Sequence, residues 1–368
     1  MPNPSFAAAL AHSRYLSRLG VAQPELAQAA EASWQAPFTS QTLERWLQQQ
    51  EISADTLKSL LRRMKQYGYL QIAARDLVGL AALQEVTEGM TLLAERAVSL
   101  ALQVLTPTLA ERHGLPVNAA GEVQELIVIG MGKLGGRELN VSSDIDLIFV
   151  YPDDGETNGA KPISNFEFFS RLGRQLINAI ADITENGQVF RVDMRLRPNG
   201  DSGPLVCSYQ MLENYFITQG REWERYAWIK ARPLSGQRLD ELEAIRRPFV
   251  FRKYLDYGTI NAMRELHAQI RREVERKEMA NNVKLGPGGI REIEFIAQVF
   301  QLIRGGREHS LQIKPTCTVL ARLAERGLLP HDVCSKLTEA YTFLRKLEHR
   351  LQYLDDAQTH NLPGSAED

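Results

Sequence analysis

The sequence predicts an α+β protein, predominantly helical, with one small mixed sheet set between two groups of helices. Three observations carry this prediction. Residues 1 to about 115 show helical spacing and no clear strand pattern, residues 126 to 149 read as strand, glycine turn and strand, and helical spacing resumes from about 236. With 368 residues, 44% of them hydrophobic and 24% charged, the chain can bury ample core, and its length suits two or three domains. The divisions fall at 1–115, 116–235 and 236–368.

In the first region, helices are expected over about 24–34, 40–50, 54–66 and 73–111. In the last of these Leu77, Leu80, Leu83, Val86, Met90, Leu93 and Ala97 recur at spacings of three and four. Ser53 with Asp55 in the first turn marks a helix start, and Gly68 a stop. Arg62, Arg63 and Lys65 read as a solvated helix face rather than a partner patch. The glycine, proline and asparagine of residues 113–122 then supply a boundary.

The central region holds the chemistry. Leu126 to Ile129 reads as a buried strand, and the glycine-rich turn after it contains Gly130, Gly132, Lys133, Gly135 and Gly136. The next strand carries Asp144 and Asp146 on one face and Ile145, Leu147 and Phe149 on the other. Two carboxylates side by side repel unless protonated or bridged by a cation, and hard oxygen ligands suit magnesium or manganese. Residues 192–198 alternate, with Asp193, Arg195 and Arg197 on a polar face. If that strand lies beside the first pair, Asp144, Asp146 and Asp193 meet as ligands of two metal ions, and the arginines take phosphate charge. The alternative for Arg195 and Arg197 is a salt-bridged surface ribbon. Backbone amides of the glycine turn, with Ser142 and Ser143, would face phosphate oxygens beside the metals; the alternative for the serines is loop polarity.

Residues 130–135 match a Gly-x-Gly-x-x-Gly fingerprint, but only residues 136–143 separate its last glycine from Asp144, too few for a parallel crossover helix. A P-loop fails too, since Ile127 and Leu134 stand where glycine and Ser/Thr are needed. A helix over 165–182 should pack Phe166, Phe169, Leu172, Leu176 and Ile180 on the sheet, and Asn186-Gly187 should turn the chain toward Asp193. Asp201 in the following loop reads as a turn former.

Beyond 236, a charge-dense helix is expected over 264–278, then a glycine-rich break at Lys284 to Gly289 and a helix over 290–304. On that helix Ile293, Ile296, Phe300 and Ile303 form the buried side, while Arg291, Glu294, Gln298 and Gln301 form a polar stripe that could face the cleft. Helices over 316–326 and 331–357 complete a bundle.

A net charge of −2 and a sequence pI near 6.4 provide no positive field to recruit nucleic acid or an anionic membrane. Cys207, Cys317 and Cys334 are widely spaced, without a zinc pattern, and read as reduced packing residues. Residues 6–10 are too short for a signal-peptide core and no apolar run approaches a spanning helix, so a cytoplasmic protein is expected.

A glycine turn followed by Asp-x-Asp, with a later aspartate on a neighbouring strand, resembles the nucleotidyltransferase fold of polymerase beta and the aminoglycoside nucleotidyltransferases. More narrowly, five blocks in order between about 126 and 308 resemble the bifunctional glutamine synthetase adenylyltransferase/adenylyl-removing enzymes of bacteria. These are GMGKLGGRELNVSSDIDLIF, RVDMRLRPNGDSGPLV, WERYAWIKARP, RPFVFRKYLDY and NVKLGPGGIREIEFIAQVFQLIRGGRE. The resemblance implies a polymerase-beta-like domain using Mg2+ or Mn2+, with Lys284, Arg291 and Glu294 as further site candidates, although surface ion pairing could also explain Arg291 and Glu294. Family members carry two such domains in tandem, and the wording here resembles the first, adenylyl-removing one, which makes this chain an N-terminal fragment. The implied reaction is attack of inorganic phosphate on adenylylated glutamine synthetase, giving ADP, with a PII-type nitrogen signalling protein as a further partner. The rival functions are a small-molecule nucleotidyltransferase of the antibiotic-modifying kind and a non-catalytic nucleotide sensor.

Overall fold

The structure, a computed structural model, describes residues 5–253 and 281–363 together with positions 265, 268 and 272. The helix expected over 264–278 lies outside the described residues. The first region is helical as expected: α1 (Phe6–Leu10), α2 (Arg14–Ala22), α3 (Pro24–Glu31), α4 (Ser40–Leu47), α5 (Leu57–Leu77) and α6 (Leu83–His113). Ser5, Ser13 and Thr39 cap the helices that follow them through side-chain oxygens. Gly68 does not stop a helix. It lies inside α5 at the crossing with α6, where an added Cβ would stand 2.7 Å from Leu93 Cδ2 and 2.8 Å from Phe38 Cζ. The break comes instead at Gly79, with φ of +77°. It leaves Leu80 at 41% exposure rather than on the apolar stripe.

The basic triplet is corrected as well. Arg62 is fully buried, donating to the carbonyls of Ala179 (2.9 Å), Gly187 (3.0 Å) and Asp182, while Lys65 pairs with Asp356 at 3.1 Å. Both bind the helices to the rest of the molecule. A helix-only pattern cannot reveal this, because the partners lie more than a hundred residues away in sequence.

A short ribbon of β1 (Pro116–Val117) and β4 (Glu156–Thr157) flanks the main sheet. The main sheet contains β2 (Ile127–Gly130), β3 (Ile145–Tyr151), β5 (Val192–Asp193), β6 (Val206–Ser208) and β7 (Arg232–Pro233). β2 pairs antiparallel with β3, as a connection too short for a crossover requires, and antiparallel with β7, and β3 pairs parallel with β5 and β6. Leu126, Val128, Ile145, Leu147 and Phe149 join one core with helices α1 to α6, while Ile127, Ile129, Ile148 and Val150 join a second with the chain beyond 206. The sheet is therefore buried on both faces, with side chains alternating between the two cores.

Between the first glycine turn and these strands lie α7 (Gly132–Gly135) and α8 (Asn165–Ala181). Helix α8 packs Phe169, Leu172, Leu176 and Ile180 as expected, but Phe166 is 40% exposed and Phe168 is buried in its stead. After β6 come α9 (Tyr209–Thr218), α10 (Glu222–Trp228), α11 (Leu239–Val250), α12 (Ile290–Arg304), α13 (Thr316–Glu325) and α14 (His331–Tyr353). Helix α14 reaches both the sheet and the first group of helices. Arg345 bonds Asn140 and the carbonyl of Glu138 beside the sheet, and His349 and Tyr353 reach Asp76 on α5 at 3.3 and 3.0 Å.

Candidate active site

The register of the sheet gathers the carboxylates. Asp146 on β3 is the direct parallel partner of Asp193 on β5, and Asp144 stands one residue before β3 begins. All three line one cleft of about 790 Å³. Asp146 points to the same face as Ile148 and Val150, so the cleft opens where the second apolar core gives out. Burial, with Asp193 and Asp144 close by, pushes the Asp146 carboxyl up to about 6.

The two outer carboxylates are engaged by arginines. Arg191 Nε donates to Asp144 at 2.5 Å, and Arg195 holds Asp193 through Nε at 2.8 Å and Nη2 at 2.5 Å. Arg195 keeps the Asp193 carboxyl below its ordinary value. Accordingly, no three His, Cys, Asp or Glu side chains among the described residues are already gathered as ligands of one ion. The donor chemistry nonetheless fits a hard divalent cation. Three carboxylates share the cleft, one is crowded enough to favour protonation, and the arginines on the other two are 40% and 73% exposed in their side chains.

Residues 192–198 do not form the unbroken strand expected. β5 ends at Asp193, whose own carboxylate accepts from the Arg195 amide at 2.8 Å and turns the chain. Arg195 stays on the cleft, but Arg197 lies outside its lining, donating to the carbonyls of Met194 (2.8 Å) and Gly203 and to Asp201 (3.4 Å). Of the serines, Ser143 lines the cleft, whereas Ser142 is buried, donating to the Asp356 carbonyl at 3.0 Å.

The glycines divide similarly. Gly132, with φ of +52°, lines the cleft, and a Cβ there would stand 3.3 Å from Asp146 Oδ2, so glycine lets the turn close on that carboxylate. Gly135 instead lies against the Lys230 carbonyl, 1.9 Å from where its Cβ would be. Gly130 pairs within the sheet and Gly136 packs on Glu138 and Lys230. Lys133 reaches the cleft beside Glu348 at 3.5 Å, and burial holds its amine down to about 8, with Arg345 and Lys284 adding to the effect against Glu348.

Two helix faces complete the walls. Trp223, Tyr226, Ala227 and Lys230 run along α10 and the turn after it at helical spacing, and Arg291, Glu294, Phe295 and Gln298 do the same on α12. The polar stripe of α12 thus faces the cleft, except that Gln301 is buried and donates to the carbonyls of Leu311 and Ile313. Lys284 also lines the cleft, in a loop pinned by bonds from the Ile290 and Arg291 amides to the carbonyls of Val283 and Lys284. Glu294 is held below its ordinary value: burial pushes it up, and Lys230, Lys133 and Arg345 outweigh that.

Sequence reasoning left residues 223–232 open between ligand contact and packing, and it overlooked Arg191, which pairs with Asp144, and Gln358 and His360, which return to the cleft from the far end of the chain. The i, i+3, i+4, i+7 spacing of Trp223 to Lys230 was a usable signal. Nothing local marks His360, which reaches the site because its carbonyl accepts from the Val283 amide at 2.8 Å and its ring lies 2.9 Å from Glu348.

An α+β fold whose small mixed sheet gathers three carboxylates at one cleft is that of a nucleotidyltransferase domain. The chain belongs to the glutamate-ammonia ligase adenylyltransferase family, whose profile matches residues 4–246. A second profile, GlnD PII-uridylyltransferase, matches residues 264–368. Curated relatives include the bifunctional glutamine synthetase adenylyltransferase/adenylyl-removing enzymes of Aromatoleum aromaticum, Chromobacterium violaceum and Ralstonia nicotianae. The first is 64% identical across 97% of this chain and 38% of its own length. The second is 56% identical across 96% and 40%, and the third 54% identical across 98% and 41%. The chain spans about two fifths of the length of these relatives.

Proposed function

We propose that this chain removes AMP from an adenylylated tyrosine of glutamine synthetase by phosphorolysis. An oxygen of inorganic phosphate attacks the adenylyl phosphorus, the bond from phosphorus to the tyrosyl oxygen breaks, and ADP and unmodified glutamine synthetase result. The observation that carries this reading is the charge pattern of the cleft: Lys133, Lys284, Arg195 and Arg291 surround the three carboxylates, more positive potential than an attacking water requires. The names of the relatives support the substrate.

Asp144, Asp146 and Asp193 would hold magnesium or manganese, two ions in the fullest arrangement, once Arg191 and Arg195 let go. Divalent ions there supply charge neutralisation at the phosphoryl group and the leaving oxygen. The chain's own part is to bind and orient: the Gly132 turn closes on Asp146, Lys133 and Lys284 neutralise incoming phosphate, and Arg195 remains available for the adenylyl phosphate. Tyrosine, with an ordinary pKa of about 10, departs without a strong general acid. The profile match over 264–368 supports contact with a PII-type signalling protein through the C-terminal helices. Soluble nucleotides as reactants suit a cytoplasmic setting, and no helix among the described residues is long and apolar enough to cross a membrane.

The test is incubation with adenylylated glutamine synthetase, magnesium and labelled inorganic phosphate. Label should appear at the β position of ADP. Release of free AMP at the same rate in phosphate-free buffer would make water the acceptor and overturn the proposal.

A further inference from the structure

The cleft has a part that phosphate chemistry leaves unused. Its charged side chains account for phosphates and metal, yet α10 and α12 also bring Trp223, Tyr226 and Phe295 into the same lining. Trp223 and Tyr226 are three residues apart and so share one helix face; the rings of Tyr226 and Phe295 lie 5.8 Å apart at 35°. Gln298 Nε2 donates to the Tyr226 carbonyl at 3.3 Å and ties the two helices together there. Of the four tryptophans, Trp34, Trp46 and Trp228 are buried in apolar cores, whereas Trp223 is 39% exposed. Its neighbours Glu224, Arg225 and Trp228 take the buried side of α10. Arg225 is held there by the carbonyls of Phe249 and Val250, at 3.0 and 3.3 Å. The rotation of the helix is therefore set, and it presents the indole to the cleft.

We infer that Trp223, with Tyr226 and Phe295 in the same lining, is the stacking platform for the purine base of the adenylyl group and of the ADP product. A ligand that fills this cleft must be anionic at one part and flat and apolar at another, as a nucleoside phosphate is. A cavity of about 790 Å³ has room for a whole nucleotide in addition to inorganic phosphate. Stacking on aromatic faces accepts any base, so affinity comes from the platform and base selection from polar groups at its edge, for which Gln298 and Gln358 are placed in the same lining. The other aromatic group in the reaction is the substrate tyrosine. It is disfavoured as the occupant because it is bonded to the phosphorus that the carboxylates and Arg195 must reach, whereas the base stands a ribose away. The inference rests on nucleotide chemistry in this cleft, although not on the direction of the reaction.

The experiment is a titration of the intact chain with ADP, AMP and inorganic phosphate in magnesium buffer, by tryptophan emission and by calorimetry. ADP and AMP should quench the emission and phosphate should not, and Trp223→Ala should abolish the quench. The same variant should weaken ADP about tenfold or more while leaving pyrophosphate affinity unchanged, and Trp223→Phe should restore most of the affinity. Melting temperatures of both variants should match the parent, since the indole is partly solvated. Unaltered ADP affinity in Trp223→Ala overturns the platform, as does failure of the parent to bind any adenine nucleotide at millimolar concentration. An unaltered ADP affinity combined with a raised KM for adenylylated glutamine synthetase would assign Trp223 to the protein substrate instead. A Trp223-dependent quench in a chain that does not form ADP from phosphate would uphold the platform while refuting phosphorolysis.

Discussion

Asp146 is the most informative single residue in the cleft. Its folded pKa lies near 6, above the ordinary carboxylate value, because burial and two neighbouring aspartates disfavour its charge. The metal-free native chain therefore keeps a proton that the unfolded chain loses near pH 4. The stability this contributes is complete below about pH 4 and is lost as pH rises through 6. In metal-free buffer above pH 6, Asp146→Asn should be more stable than the parent by roughly 2–3 kcal/mol at most, a difference that vanishes below pH 4. The same variant should lose orders of magnitude in turnover. Denaturant melts at pH 4 and 7.5, with EDTA present, test the first part, and a phosphorolysis assay the second.

Lys133 offers the opposite sign. Burial holds its amine near 8, so a charge that helps bind phosphate is present below that pH and lost above it. In the free enzyme kcat/KM for phosphate should fall as pH passes 8, and Lys133→Arg should move that limb upward. An unchanged profile in the arginine variant would remove Lys133 from the phosphate site. Arg195 and Arg197, alike in sequence, should also separate. Arg195→Ala should depress turnover with little change in melting temperature, because its side chain is 73% exposed. Arg197→Ala should cost about 1 kcal/mol of stability by removing the guanidinium that the Met194 and Gly203 carbonyls share, the Met194 carbonyl keeping its bond from the residue 197 amide.

At the scale of elements, the crossing of α5 and α6 shows how packing overrides local propensity. Glycine inside a helix normally costs about 1 kcal/mol relative to alanine. At Gly68, however, a methyl group would meet two Leu93 carbons at 2.7 and 2.9 Å. Gly68→Ala should therefore destabilise by about 1–3 kcal/mol despite the gain in propensity, as chemical denaturation would show. Helical periodicity made most of these elements legible, since apolar residues spaced by three and four must share a face. Where a helix stopped was less so, because glycine serves equally as a stop and as a close contact.

Residues 192–198 depart from the expected strand for a related reason: alternation of polar and apolar residues survives in a turn, and only the Asp193 carboxylate, closing on the Arg195 amide, decides that the strand ends there.

Across the whole molecule, buried polar groups, many of them on the last helix, connect regions far apart in sequence. Lys230 Nζ bonds Glu138 at 2.5 Å and Thr316 at 2.9 Å, Arg345 bonds Asn140 and Tyr341, and Asp76 receives Tyr353 and His349 from α14. Breaking one partner of such a buried group is costly because the other is left unpaired. Asp76→Ala should cost about 2–4 kcal/mol and lower a single cooperative transition rather than melt the N-terminal helices separately. Differential scanning calorimetry would show one shifted peak, and two resolved peaks would refute the coupling.

Local pattern by itself determined the α+β class, the glycine turn between antiparallel strands and the pairing of Asp144 with Asp146, because helix and strand periods and connection length are properties of short segments. It also brought Asp193 within consideration, since its strand could be read from neighbouring residues. Tertiary structure alone decided that Asp146 and Asp193 are register partners, that Arg197 and Ser142 serve the scaffold, and that Arg62 is internal. It alone brought Trp223 and His360 to the same cleft and set Arg191 against Asp144. These outcomes depend on which distant backbone carbonyl or carboxylate happens to face each side chain once the two cores have closed on the sheet, and a polar residue carries the same local signature whether its partner is water, substrate or the far end of its own chain.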